Sequence, residues 1–178
     1  MSSWKSKGLK NKGLSADLAA GMAVASSGNA LAEGRAATET ANVKTALRMF
    51  DEGWGANEGW ETVWRESLST GFLSYFHSRP PIEGIEPAIA FNRELFVGFP
   101  ELRMTVEDVV AEGGNVIVRG RLSGSNDGPF LGAPPSGADV LVPDVTIFRL
   151  EGGKIVEMRY FTDLLAVMTT IGAVHRGG

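Results

Sequence analysis

Between Thr38 and Pro100 the apolar residues recur at helical spacing, and beyond Pro100 they alternate. In "TETANVKTALRMFDEGW", Val43, Ala46, Leu47 and Phe50 fall on one face, which predicts a helix with Thr38 or Thr40 as its cap. "GANEG" interrupts it. "WETVWRESLS" then sets Trp60, Val63, Trp64 and Leu68 in a single stripe, a second amphipathic helix whose tryptophans pack into a core. "GFLSYFHSRPP" is short, aromatic and closed by Pro80 and Pro81, so a strand is predicted to end near His77. "IEPAIAFNRELFVGFP" opens on Pro87 in a first turn and stops at Gly98 and Pro100. Its broad apolar face of Ile89, Phe91, Leu95 and Phe96 makes it the third helix.

The alternating part contains two hairpins. "LRMTVEDVVAEGGNVIVRGRLSG" turns at Glu112–Asn115, and "VLVPDVTIFRLEGGKIVEMRYFTD" turns at Gly152–Gly153. A long Gly/Pro loop, "SNDGPFLGAPPSGAD", joins them, and "LLAVMTTIGA" reads as a short closing helix ended by Gly172. Helices followed by paired strands predict an α+β fold, with the helices on one face of an antiparallel sheet. Such a sheet twists and curls, and a curled sheet facing helices leaves a cavity.

Composition narrows the function. The 178 residues suit one domain, and a 43% hydrophobic content suits a globular protein with a core of its own. The absence of cysteine excludes disulfides and thiolate zinc sites, and with His77 the one plausible internal histidine no metal site is expected. A net charge of −4 argues against nucleic acid as a partner. No apolar run reaches the ~20 residues that span a bilayer.

Residues 1–37 stand apart from the domain expected at 38–174. Lys5, Lys7, Lys10 and Lys12 precede "LAAGMAVA" and a small-residue "ALA", an order similar to a secretory signal. Asp17 abuts the apolar stretch, which favours a flexible Gly/Ala/Ser tail and a cytoplasmic protein over a secreted one.

Candidate chemistry gathers at the ends of the strands. Asp163 stands where "KIVEMRYFTD" passes into the closing helix, so it caps that helix, lines a pocket, or does both. Straight-strand alternation puts Arg159, Phe161 and Asp163 on one face and Tyr160 on the other. Asp144 is a carboxylate among apolar neighbours and a second acid/base candidate if it points inward. Asn126 and Asp127 either contact a ligand at the pocket mouth or make a turn. Arg119 and Arg121 alternate with apolar residues and are expected to face solvent or a second subunit.

Several segments carry a family likeness. Pro80–Pro81, "GFPELRMTVED" (Gly98–Asp108), "PFLGAPPSG" (Pro129–Gly137), "IFRLEGGKIVE" (Ile147–Glu157) and Asp163 resemble the SnoaL-like polyketide cyclases, within the nuclear transport factor 2-like superfamily. The resemblance spans about residues 40–174 and implies a cone-shaped barrel of N-terminal helices packed on a curved antiparallel sheet. It further implies aldol-type acid/base chemistry on a hydrophobic carbonyl compound such as a polyketide, without metal or cofactor. In that pattern Asp163 is the general acid/base at the pocket floor. Where the family has a tryptophan this chain has Arg159, and where the family has Gly-Thr-His it has Gly124-Ser125-Asn126. The expected site is therefore Asp163 and His77 as acid/base groups, with Asn126, Asp144, Arg159, Phe76 and Phe130 contacting substrate. A homodimer through the outer sheet face is the expected assembly. The other reading is a module on the same fold that binds a small ligand or dimerises without catalysis.

Overall fold

The structure is a computed structural model that describes residues 14–55, 57–76 and 79–174, with side chains from residue 31 onward. The chain divides into two compact units, Met1–Ala37 and Thr38–Gly178, and the second contains every strand found among the described residues. Helix α1 is Leu14–Asp51, so Thr38 and Thr40 lie inside a helix and neither caps it. The alanine-rich sequence ahead of them favours helix despite Gly21, Gly28 and Gly34, so the helix does not begin at either threonine.

α1 is followed by α2 (Trp60–Ser67), β1 (Leu68–Phe76), β2 (Ile82–Glu83), α3 (Ile85–Gly98), β3 (Arg103–Glu112), β4 (Asn115–Ser125), β5 (Asp139–Glu151), β6 (Lys154–Thr162) and α4 (Leu164–Thr170). The sheet is open, in the order β2-β1-β6-β5-β4-β3. It is mixed: β1 runs parallel to β6, whereas β3 to β6 form the expected antiparallel hairpins. Hydrophobic periodicity shows which face of a strand is buried but not the direction of a distant neighbour, and the parallel pair was invisible for that reason. The turn at Gly152 and Gly153 has φ of 56° and 77°, the left-handed pair a two-residue hairpin loop requires.

Ala46, Met49 and Phe50 of α1 pack against the inner sheet face. Phe50 meets Phe148 edge-on at 5.6 Å and Trp54 at 5.2 Å. Trp64 is fully buried because its indole nitrogen donates to the Gly53 carbonyl at 2.7 Å. Arg65 bridges Glu61 and Glu86, and Arg93 reaches Glu61, so an exposed ion-pair network links α2 to α3. At the far edge Asn42 donates to the Gly113 carbonyl and Glu39 accepts from the Gly113 N–H, which ties α1 to the first hairpin turn. Among the described residues no helix is long and apolar enough to cross a membrane.

Candidate active site

One strand carries most of the site. Along β5, Val140, Val142, Asp144, Thr146, Phe148 and Leu150 all point inward, so Asp144 and Thr146 interrupt an otherwise apolar stripe. Asp144 is 3% exposed. Cross-strand pairing sets Gly120 on one side of it and Thr162 on the other. The Thr162 hydroxyl donates to Oδ1 at 2.5 Å and the Thr146 hydroxyl to Oδ2 at 2.9 Å. Its hydrogen-bond partners among the described residues are thus hydroxyls and no lysine or arginine. Removing a carboxylate from water is expensive unless it is paired, so this position is held against a cost. Gly120 also has a steric reason: a Cβ there would lie 2.2 Å from the Thr105 carbonyl oxygen of β3.

Asp144 lines an apolar cavity of about 50 Å³ between sheet and helices. α3 contributes Phe91, Asn92 and Leu95, β6 contributes Tyr160 and Thr162, and Leu164 and Val167 of α4 close one end. Tyr160 is the neighbour that matters most. Burial of its phenol, and next the negative charge of Asp144, push its pKa upward against an opposing hydrogen bond from Ser74. The phenol therefore stays protonated beside the carboxylate. Its hydroxyl lies 3.6 Å from the Met158 sulfur.

A second, more open groove of about 470 Å³ adjoins this cavity, and both share Phe91, Leu95 and Phe130. Phe130 sits at the end of a tight turn whose central residues Leu131 and Gly132 have φ of 48° and 86°. Reciprocal backbone bonds between Phe130 and Ala133 close that turn.

The residues singled out from sequence are dispersed. Phe76, Phe130 and Asp144 line the cavity. Asp163 is exposed and caps α4, its carboxylate accepting from the Ala166 N–H at 2.9 Å, so it does not form the pocket floor. Arg159 points outward as well: it pairs with Glu157 at 2.6 Å and stacks over the Tyr75 ring at 3.9 Å. Asn126 is fully buried but committed to its own loop. It donates to the carbonyls of Gly98 and Gly128 and accepts from the backbone and hydroxyl of Ser136. His77 lies outside the described residues. Tyr160, Asn92 and the two threonines were missed. The signal that could have found Tyr160 is the spacing of Ile155 and Met158, both fully buried and three apart, which a straight strand cannot produce.

The comparisons agree with this architecture. The model of the SnoaL-like polyketide cyclases matches residues 44–171. The chain belongs to the SnoaL-like polyketide cyclase family. A solved protein from Jannaschia sp. CCS1 assigned to the SnoaL-like polyketide cyclases is 63% identical, with a TM-score of 0.74 over 77% of this chain and 95% of that one. TsrD from Streptomyces laurentii is 27% identical, with a TM-score of 0.62 over 79% and 98% of the two chains. IdmH from Streptomyces antibioticus, at 22% identity and a TM-score of 0.61 over 74% and 98%, shares the fold. No curated protein matches the sequence. In this SnoaL-like chain the helices pack on a curved, unclosed mixed sheet, the arrangement of its nuclear transport factor 2-like neighbours.

Proposed function

We propose that this SnoaL-like protein catalyses cofactor-free, aldol-type acid/base chemistry on a hydrophobic carbonyl compound, with Asp144 in place of Asp163 as the acid/base. The observation that carries the reading is a buried carboxylate, held by two threonine hydroxyls, beside a phenol kept protonated in an apolar cavity. Asp144 takes a proton from the carbon next to a carbonyl. Charge moves to the carbonyl oxygen, and Tyr160 donates a hydrogen bond to it. The carbon then bonds to a second carbonyl carbon, and the resulting alkoxide recovers the proton from Asp144. The step as written needs no metal or cofactor. The inner cavity takes the reacting end only, since sites for drug-sized ligands run to about 300–1,000 Å³; the rest of the substrate extends past Phe91, Leu95 and Phe130 into the outer groove.

The test is loss of the α-proton signal of a 1,3-diketone in deuterated water, followed by NMR. Asp144→Asn should slow the exchange about 10²- to 10⁴-fold while the fold is retained. Asp163→Asn should leave the rate within about threefold and lower thermal stability by about 1 kcal/mol or less through a weakened cap. An Asp144→Asn protein that exchanges at the wild-type rate rejects the assignment.

A partner is proposed on the opposite face of the sheet. Val110, Ile117 and Ile147 form one cross-strand row and Val145 and Phe161 the next, all pointing away from the cavity. Val110 and Phe161 are 55% and 57% exposed. The occupant proposed for this face is a second copy of the chain. A ligand-binding module without catalysis would show ligand-dependent thermal stabilisation with no proton exchange.

A further inference from the structure

Asn92 sits in the wall of the inner cavity, flanked on α3 by Phe91 and Leu95. It is 6% exposed. Its Nδ2 donates to the Ala88 carbonyl one turn earlier, at 2.8 Å. That bond orients the amide, because the nitrogen must face a carbonyl and Oδ1 is turned away from it. Among the described residues nothing donates to Oδ1, and the second N–H finds no acceptor. Buried amides seldom remain half used, since an unmet polar atom keeps its full desolvation cost. Asn126, equally buried, fills every position it has. The helix does not need an amide at this place either. A leucine of similar size would complete the apolar wall with no polar cost, so the asparagine calls for a partner that arrives from the cavity.

The missing partner has a definite chemistry. A free acceptor beside a free donor matches a hydroxyl, which gives its proton to Oδ1 and receives the N–H on its oxygen. A carbonyl would use the N–H alone and leave Oδ1 unmet. We infer that Asn92 is a specificity-determining residue that selects apolar carbonyl compounds bearing a hydroxyl group. The hydroxyl is held at α3 and the carbonyl at the Asp144–Tyr160 end of the cavity. This rests on the proposed reading of the cavity as the ligand site, although not on the reaction assigned to it.

Calorimetric titration with acetophenone and 4-hydroxyacetophenone tests the inference on the full chain. The wild type should prefer the hydroxylated ketone by about tenfold, the effect of one well-made buried hydrogen bond. Asn92→Leu should bring that preference within about twofold by weakening the binding of the hydroxylated ketone. If the leucine variant fails to fold, Asn92→Ala is read the same way. A preference that survives the substitution overturns the assignment, as does a wild type that binds both ketones equally. If neither ketone binds the wild type, the cavity fails as a ligand site and Asn92 loses its role with it. Loss of proton exchange in the preceding experiment, with the hydroxyl preference intact, would remove the proposed reaction and leave this inference standing.

Discussion

Asp144 and Asp163 bring the same functional group into opposite surroundings. Asp163 stays in solvent and stabilises α4 by accepting one backbone hydrogen bond, as short polar side chains do at helix starts. Asp144 is shut inside and answered by hydroxyls, and the Tyr160 phenol lines the same cavity. That phenol supplies a pH prediction. Tyrosine ordinarily titrates near pH 10, and burial raises Tyr160 above that in the folded protein. The unfolded chain therefore releases the Tyr160 proton first as pH rises. The stability this residue contributes is complete below about pH 10 and declines above it, by up to about 1.4 kcal/mol per pH unit. Urea denaturation of the wild type and Tyr160→Phe, compared from about pH 9 to pH 11, separates the phenol's contribution from other titrations. The wild-type curve should fall more steeply with pH. Parallel curves would show that the phenol titrates alike in both states.

At the scale of elements, the loop between β4 and β5 depends on Asn126, whose side chain holds Gly98, Gly128 and Ser136 together. Gly128 has its own reason to be glycine, since a Cβ there would lie 2.1 Å from the Val97 carbonyl oxygen. Asn126→Ala should leave the buried Gly128 carbonyl without its donor and free Ser136 from the loop, and cost roughly 2 kcal/mol, a fall in Tm of about 5–10 °C by calorimetry. A fall below about 2 °C would mean that water replaces the amide. Sequence spacing located this loop and both hairpins around it, because turn residues and alternation are local signals. It misjudged the inner face of β6 for an equally local reason. Arg149 pairs with Glu157 but Leu150 pairs with Ile155, so β6 carries an extra residue. Beyond that bulge, strict alternation counted from Ile155 marks Arg159 and Phe161 as inward, whereas Met158, Tyr160 and Thr162 are. Straight alternation therefore turns Tyr160 outward, although it lines the cavity. Asn92 left no sequence signal at all, since the state of its amide depends on what lies opposite in space.

For the whole molecule, the helices and hairpins were legible, while the parallel β1–β6 pair and the burial of Asp144 emerged only from the packed sheet. The outer face carries the remaining prediction. Stable interfaces cover about 800 Å² per partner, with an apolar centre and a charged rim. Here Val110, Ile117, Leu141 and Phe161 supply exposed apolar surface, and Arg119 and Arg121 with Glu107, and Arg159 with Glu157, supply flanking ion pairs. The chain carries a net charge of −4, yet the arginines on this face keep it from being acidic, so like charge does not oppose the approach of a second copy. Light scattering behind size exclusion should give twice the 18.9 kDa chain mass. Phe161→Glu sets a charge in the centre of the contact, where it would be desolvated and faced by its symmetry mate. It should weaken association by at least about a hundredfold, leaving chain-mass particles with an unchanged circular dichroism spectrum. The cavity lies on the other side of the sheet, so the same variant should keep its affinity for 4-hydroxyacetophenone. A wild type at the mass of one chain in concentrated solution would refute the pairing. A dimer that survives Phe161→Glu would move the interface elsewhere on the surface.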